Sequence, residues 1–230
     1  MFYKEHLIGK GEIMVLGIYC AGGFGGTVLE LARELNEDLC RWDIICFIND
    51  VAPSIETEVE VLSFEEFTNL YPPQKAEIII ASGEPFGRLK LFDKVKEKGY
   101  TLPNMIHPSS VTAFRVNRIG EGNIIQDFVH ISPSNVEIGN NNVFMTFSRI
   151  AHDCRIGNHC VFTSSTNCSG RVNVEDGCYI GTGAKLRDKI TIKRNAIIGM
   201  GAIVTKSVTE NSVVVGNPAK EIRKNTGHVF

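Results

Sequence analysis

An apolar side chain recurs at every sixth position over residues 138–204. The series is Ile138, Phe144, Ile150, Ile156, Phe162, Cys168, Val174, Ile180, Leu186, Ile192, Ile198 and Val204. A helix would need a period near 3.6 residues and an alternating strand a period of two. A period of six, with one bulky inward residue per hexad, instead predicts a triangular parallel β-helix. Three hexads then complete one coil, and equivalent residues of successive coils stack about 4.8 Å apart.

The same period predicts interior columns and one irregular corner. Phe144, Phe162, Ile180 and Ile198 form one column, and Ile150, Cys168, Leu186 and Val204 form another. An earlier series, Ile119, Ile125 and Ile131, has the same period but lies one residue out of phase. We place the shift at the segment SPSN, residues 132–135, because Pro133 suits an irregular corner.

The N-terminal half has a different pattern. Residues 13–19 are an apolar run, followed by AGGFGG and by TVLELARELN with helical spacing. Two further apolar runs, DIICFIND and AEIIIASG, end in polar or turn residues. This order predicts a small Rossmann-like open parallel sheet. We therefore predict an α/β domain over residues 1–108, a β-helix over 109–218 and a C-terminal tail over 219–230.

The glycine loop suggests a phosphate site. Glycines at the end of a first strand allow a phosphate to approach the backbone and the N-terminus of the following helix. Asp50 ends the second strand, where it could accept a hydrogen bond from a ribose hydroxyl or a base. By itself the loop fits a nucleotide site, a dehydrogenase or a tight turn.

Composition narrows the classes of protein. The chain has 230 residues, 43% of them hydrophobic and 22% charged, with a formal net charge of -2, which is ordinary for a soluble protein and does not favour a nucleic-acid surface. The N-terminal apolar run of about eight residues is far short of the ~20 needed to span a bilayer, and no cleavage site follows it, so we expect a cytoplasmic protein without a membrane span.

The cysteines predict neither disulfides nor a metal site. There are seven, an odd number, and none forms a C-x-x-C pair. Four of them fall at inward repeat positions, where a small apolar side chain fits and a thiolate would be poorly solvated. These four are Cys154, Cys160, Cys168 and Cys178.

His152 and Asp153 are the candidate chemistry of the repeat. They lie side by side in SRIAHDCRIGNHC, residues 148–160. An imidazole titrates near neutrality and can act as a general base. A corner of a β-helix also tolerates any polar residue, so a solvated corner is the alternative interpretation.

The hexads, together with HDCRIG (152–157) and VVVGNPAKEI (213–222), resemble the hexapeptide-repeat acyltransferases with a left-handed β-helix. More narrowly, nearly the whole chain resembles the sugar acyltransferase family that contains bacillosamine-type nucleotide-amino-sugar N-acetyltransferases and sialic acid O-acetyltransferases. The resemblance implies an acetyl-CoA-dependent sugar N-acetyltransferase of surface glycan biosynthesis, with a nucleotide-sugar substrate and no metal.

The resemblance also implies roles for particular residues. His152 would be the general base in a direct transfer, Asp153 its partner, and the Gly170 backbone N–H a donor at the thioester. Further acetyl-CoA contacts would come from Thr182, Met200, Lys206 and Lys220, with Arg223 also available to the phosphates. The nucleotide-sugar would contact Gly22, Gly23, Phe24, Gly25, Asn49, Asp50, Ser82, Arg88 and Met145, with Arg88 as the phosphate partner.

Four positions depart from the family pattern. Cys20 replaces the first glycine of the loop, and Phe24 replaces a histidine. Met145 replaces an amide that contacts substrate, and Val161 replaces a histidine that contacts CoA, so that contact is not carried over. The identities of the nucleotide and of the sugar therefore remain open.

Three other functions are compatible with parts of the sequence pattern. An O-acetyltransferase of sialic acid or of a related sugar hydroxyl and a non-catalytic nucleotide-sugar-binding scaffold both fit the predicted fold. A metal-dependent hydratase of the carbonic anhydrase type needs three converging imidazoles. The repeat has His130, His152 and His159, whose spacings do not match a coil, and we expect His159 at the surface. His107 is expected to be a linker or domain-contact residue.

The flat faces of a β-helix prism also predict an assembly. No long insertion in the repeat would cover these faces. We therefore predict a homotrimer with intersubunit active sites.

Overall fold

Over its described residues, the N-terminal part is a four-stranded parallel sheet with three helices. A computed structural model describes residues 13–51, 56–112 and 118–227. The elements are β1 (Val15–Tyr19), α1 (Gly23–Leu39), β2 (Ile44–Ile48), β3 (Val61–Leu62), α2 (Phe64–Leu70), β4 (Ala76–Ile80) and α3 (Pro85–Glu97). The strand order is β3-β2-β1-β4, and β1 is buried along its whole length, as expected for a central parallel strand. The predicted Rossmann-like sheet is confirmed.

The remaining chain forms a coil with three faces. Face 1 contains β5 (Met105–Ile106), β8 (Ile124–Ile125), β11 (Val143–Phe144), β14 (Val161–Phe162), β17 (Tyr179–Ile180), β20 (Ile197–Ile198), β22 (Ser212–Gly216) and β23 (Ala219–Lys224). Face 2 contains β6 (Val111–Thr112), β9 (His130–Ile131), β12 (Arg149–Ile150), β15 (Asn167–Cys168), β18 (Lys185–Leu186) and β21 (Ile203–Val204). Face 3 contains β7 (Arg118–Ile119), β10 (Glu137–Ile138), β13 (Arg155–Ile156), β16 (Asn173–Val174) and β19 (Thr191–Ile192).

The strand registers confirm the interior columns. Phe144 pairs with Phe162, Phe162 with Ile180, and Ile180 with Ile198. The second column, from Ile150 through Cys168 and Leu186 to Val204, pairs in the same way. The fold is the predicted left-handed β-helix behind a small parallel sheet.

The corners explain the phase shift. A residue with positive φ occurs at every sixth position from Asn135 to Gly201, but the interval from Phe128 to Asn135 is seven residues. The additional residue therefore lies in the turn at 132–135. Across this turn Ile131 still pairs with Ile150, so the interior column continues. The predicted position of the shift is confirmed.

The four coil cysteines are buried. Cys154, Cys160, Cys168 and Cys178 belong to the apolar interior of the coil, and all seven cysteines are free thiols. Their predicted packing as small apolar side chains is confirmed.

The N-terminal part packs on face 1. Helix α1 buries one side against outward residues of that face, in a shared apolar cluster. The cluster includes Val28, Leu29, Leu31 and Ala32 from α1, and Met105, Ile124, Val143 and Val161 from face 1. Strand β5 joins face 1 before residue 108, and β23 pairs antiparallel with β22 inside the segment predicted as a tail.

Candidate active site

His152 and Asp153 form a hydrogen-bonded pair at the corner between faces 2 and 3. Nδ1 of His152 lies 2.8 Å from Oδ2 of Asp153, and 52% of the imidazole is exposed. Asp153 has φ 58°, and its N–H donates to the Ser134 carbonyl at 2.9 Å, which holds the turn in place. Because an ionised carboxylate only accepts hydrogen bonds, the proton of the neutral imidazole is assigned to Nδ1. Nε2 is then the basic atom offered to solvent or substrate.

The surroundings keep Asp153 charged. The hydrogen bond with His152 and the amide of Asn135, 3.2 Å from Oδ1, hold the pKa of Asp153 below its ordinary value. The nearby Arg171, whose Nε is 3.8 Å from Oδ2, acts in the same direction. A carboxylate that stays ionised can stabilise an imidazolium.

Gly170 lies against the imidazole from one coil above. A β-carbon at Gly170 would be only 2.7 Å from Cε1 and from Nε2 of His152. The Gly170 carbonyl accepts the N–H of Lys189 at 3.1 Å, whereas the Gly170 N–H has no acceptor among the described residues. A free backbone donor beside Nε2 is suited to stabilising an oxyanion that forms there.

The other predicted acetyl-CoA residues are distributed over the coil. Lys206 follows β21 on the same corner as His152 and Gly170, whereas Thr182 and Met200 follow β17 and β20 on the corner between faces 1 and 2. Met200 is 79% exposed. Lys220 is exposed on β23. Within one chain, the structure therefore brings only Gly170 and Lys206 to the corner of His152.

The glycine loop has a steric requirement at one position. Helix α1 begins at Gly23 after Gly22, and a β-carbon at Gly25 would lie 2.1 Å from the Cys20 carbonyl oxygen. A β-carbon at Gly23 would meet nothing within 4 Å. The tight packing at Gly25 holds the loop against the start of α1. Cys20, which replaces the family glycine, has φ 88°, and burial raises the pKa of its thiol to about 11.

Asn49 supports this loop from the next strand. Its Oδ1 accepts the N–H of Ala21 at 3.0 Å, and its Nδ2 donates to the Val51 carbonyl at 2.7 Å. Asn49, predicted to contact the substrate, therefore holds the backbone of the glycine loop in place.

Asp50 is engaged by donors of the protein. Oδ2 accepts from the Tyr19 hydroxyl at 2.5 Å and from Nζ of Lys94 at 2.7 Å, and Oδ1 accepts the N–H of Phe64 at 2.9 Å. Partial burial would raise the pKa of Asp50, but the hydrogen bonds from Lys94 and Tyr19 lower it overall. A ribose or base at Asp50 would have to share this carboxylate.

Arg88 lies buried between the two parts of the chain. Nε donates to the Asn141 carbonyl at 2.8 Å and Nη2 to Asn141 Oδ1 at 2.5 Å. Nη1 donates to the carbonyls of Ile80 at 2.7 Å and Ser82 at 2.9 Å, and the side chain has no exposed surface. Burial lowers the pKa of Arg88 to about 9. This position does not fit the predicted role of phosphate partner, because protein acceptors already occupy the guanidinium.

The same contact includes His159. Its Nδ1 is 3.0 Å from Nδ2 of Asn141, and the Phe92 ring lies edge-on at 5.1 Å. Burial, and then the charge of Arg88, lower the pKa of His159. The expectation of a surface imidazole is wrong, because helix α3 lies along the corner between faces 3 and 1. Nothing in the repeat pattern signals this contact.

Other predicted residues lie at the domain contact. His107 meets Glu34 of α1, with Nε2 and Oε2 3.0 Å apart, which confirms the domain-contact expectation. Phe24 and Met145 both pack against the shared cluster of α1 and face 1. Ser82 caps the turn before α3, where its hydroxyl accepts the N–H of Glu84 at 3.3 Å.

The three imidazoles of the hydratase alternative do not share one location. His130 is on face 2, His152 on the corner between faces 2 and 3, and His159 at the contact with α3. Among residues 13–51, 56–112 and 118–227, no group of three or more His, Cys, Asp or Glu side chains could hold a metal ion. Over the same ranges, no helix has both the length and the apolarity needed to cross a membrane.

Comparison with known proteins agrees with this architecture. Residues 15–95 match the family model of the PglD N-terminal domain, whereas no curated protein matches the chain. WeeI from Acinetobacter baumannii AYE is 32% identical, over 91% of this chain and 100% of that one, with a TM-score of 0.81. PerB from Caulobacter crescentus, in complex with CoA and GDP-perosamine, is 27% identical over 93% and 98% of the two chains, with a TM-score of 0.80.

A third structure has the same fold. The acetyltransferase domain of PglB from Neisseria gonorrhoeae, in complex with acetyl coenzyme A, is 24% identical over 91% of this chain and 100% of that chain, with a TM-score of 0.81. Together, the parallel sheet, the coil and these likenesses define a β-helix acyltransferase with an N-terminal Rossmann-like sheet. The chain belongs to the hexapeptide-repeat sugar N-acetyltransferase family with a PglD N-terminal domain. The predicted family and enzyme class are confirmed.

Proposed function

We propose that the protein transfers the acetyl group of acetyl-CoA to the amine of a nucleotide-linked amino sugar, with His152 as general base. The main support is the hydrogen bond between Nδ1 of His152 and Asp153, which leaves Nε2 as the basic atom beside Gly170. The likeness to PerB, whose structure holds CoA and GDP-perosamine, supports the choice of both substrates.

The reaction is a direct acyl transfer. The neutral amine attacks the thioester carbonyl and forms the C–N bond, while Nε2 of His152 takes its proton. The C–S bond then breaks and the CoA thiolate leaves, receiving the proton from the imidazolium. Asp153 stabilises that imidazolium, and the Gly170 N–H donates to the oxyanion of the tetrahedral intermediate. General base catalysis of this kind contributes roughly 10²–10⁴-fold in rate.

No cysteine is assigned a covalent role. Cys154 is the nearest along the chain, but its thiol is buried and directed to the Ser169 carbonyl at 3.1 Å. A thiol in that position cannot attack a thioester that is bound outside the coil.

The glycine loop is the proposed site of the nucleotide phosphates. Gly22, Gly23 and Gly25 bring the backbone and the N-terminus of α1 to one edge of the sheet, and Asn49 holds this backbone in place. Arg88 is omitted from this site because it is buried.

A homotrimer would bring the two substrates together. His152 lies on the corner opposite face 1, whereas the N-terminal part packs on face 1. A single chain therefore separates the base from its own glycine loop by the width of the coil. We propose that a neighbouring chain supplies the nucleotide-sugar, and that the corner of Thr182 and Met200 in one chain faces the corner of His152 and Lys206 in another. Lys206 and Lys220 would contact the CoA phosphates.

The deciding experiment measures CoA release from acetyl-CoA with GDP-, UDP- and dTDP-linked amino sugars and with sialic acids, using the wild type and His152→Asn. We expect release with a nucleotide-linked amine and a loss of about 10²–10⁴-fold in kcat for the variant. Release with sialic acid alone would indicate an O-acetyltransferase. Tight binding of a nucleotide-sugar without any release would indicate a scaffold.

The assembly is tested separately by sedimentation of the active protein. A monomer that is fully active would contradict the intersubunit site.

A further inference from the structure

Three residues that lie one coil apart form a polar column beside the His152–Asp153 pair. Asn135, Asp153 and Arg171 occupy the same corner position in successive coils, with φ of 54°, 58° and 61°. The amide of Asn135 lies 3.2 Å from Oδ1 of Asp153, and Nε of Arg171 lies 3.8 Å from Oδ2. His152 contacts Oδ2 at 2.8 Å. Both oxygens of the carboxylate are therefore held by neighbours from other turns.

We infer that Asn135 and Arg171 are positioning residues for the catalytic pair: Asn135 fixes the plane of the Asp153 carboxylate, and Arg171 limits how strongly that carboxylate stabilises the imidazolium. This inference rests on the proposed function. The contact that links each of them to the catalytic pair is with the carboxylate of Asp153, and both act through it.

Asn135 acts through orientation. Its hydrogen bond to Oδ1 leaves Oδ2 as the atom that faces Nδ1 of His152. Without it, the half-exposed carboxylate could rotate away, and both the tautomer and the direction of the imidazole would be less well defined. Glycine also suits a corner with positive φ, so backbone conformation alone does not require an asparagine here.

Arg171 acts through charge. Its guanidinium lies near the oxygen that His152 uses, so it offsets part of the negative charge that would stabilise an imidazolium. Charged groups of the neighbouring strands and coils form ion pairs of their own: Arg155 with Glu137 at 3.6 Å, and Asp188 with Arg187 at 3.7 Å and with Lys189 at 3.9 Å. Arg171 is thus the charged side chain that sets the field at Asp153 from the coil above.

The two roles predict different kinetic effects. Asn135→Gly should lower kcat about tenfold, with little change in KM for acetyl-CoA and little movement of the acidic limb of the pH–kcat profile. Arg171→Gly should shift the acidic limb upward by on the order of half a pH unit, because the imidazolium gains stability and the base is protonated at higher pH. That shift should disappear at 1 M salt, where the screening length is about 3 Å.

Lys189→Gly is the matched control, since Lys189 occupies the next position of the same column, with φ 59°. It should keep the wild-type profile. Arg171→Lys should restore the acidic limb to near its wild-type position. If either glycine variant fails to fold, Asn135→Asp replaces it: an added carboxylate should shift the limb upward, in the same direction as the loss of Arg171.

The possible failures are distinguishable. If His152→Asn retains turnover, the proposed function fails and this inference fails with it. If His152→Asn is inactive while Asn135→Gly and Arg171→Gly both match the Lys189→Gly control in kcat and in pH profile, only the positioning roles are overturned.

Discussion

The imidazole of His152 lies directly against the α-carbon of Gly170, with no space for a side chain between them. A β-carbon at Gly170 would approach Cε1 and Nε2 to 2.7 Å. Since φ of Gly170 is outside the left-handed region, the glycine is required by this contact and not by the backbone.

Gly170→Ala should therefore reduce kcat by on the order of 10²-fold, because the methyl group displaces Nε2 from the reacting amine. Asp188→Ala, one coil above on the same corner, is the control and should keep wild-type turnover. Steady-state kinetics with both substrates varied, together with a melting curve, would measure the effect. Full activity of Gly170→Ala would show that the contact has no catalytic importance.

Asp153→Asn should shift the acidic limb of the pH–kcat profile downward and lower the maximal rate. Folding lowers the pKa of Asp153, so its carboxylate is already ionised over the pH range of the acidic limb. The limb therefore reports protonation of the general base, His152. An amide cannot stabilise the imidazolium, so the base is protonated only at lower pH. With a sugar hydroxyl as the acceptor, the substrate has no ammonium group that could contribute to the acidic limb. An unchanged acidic limb for Asp153→Asn in that assay would contradict the pairing of Asp153 with His152.

Replacement of Arg88 should weaken the contact between the N-terminal part and the coil and so destabilise the protein. Arg88→Met removes four hydrogen bonds and leaves buried acceptors on Asn141, Ile80 and Ser82. We expect a loss of at least about 3 kcal/mol in the free energy of unfolding, measured by urea titration. Arg187→Met, on the exposed surface of the coil, should change it by no more than about 0.5 kcal/mol. Equal effects of the two variants would refute the role of Arg88 as an interdomain contact.

The glycine loop allows a paired test. Gly25→Ala forces a β-carbon into the Cys20 carbonyl and should destabilise the protein by about 1–3 kcal/mol. It should also weaken the binding of a nucleotide-sugar, measured by calorimetry. Gly23→Ala meets no atom and should leave the stability unchanged or raise it by up to about 1 kcal/mol, since alanine favours a helix. Similar melting curves for the two variants would contradict the steric argument.

Much of the coil was predictable from the sequence alone. The period of six set the interior columns, the buried cysteines and the irregular corner at 132–135, because each hexad contacts its neighbours one coil away and little else. His152 and Asp153 are adjacent along the chain, so their meeting required no long-range information. The positions of Thr182 and Met200 on another corner also follow from the period once the coil is known.

Only the tertiary structure decided the roles of Arg88, Asp50 and His159. The sequence predicts Arg88 at a phosphate and His159 at the surface, but helix α3 packs along the coil, where it buries Arg88 and leaves His159 partly buried, both against Asn141. Asp50 ends its strand as predicted, yet Tyr19 and Lys94 occupy its carboxylate. The physical reason is that a repeat encodes contacts at a constant separation along the chain. The docking of one part on the other depends on complementary surfaces formed by residues far apart in sequence, which leave no periodic signal.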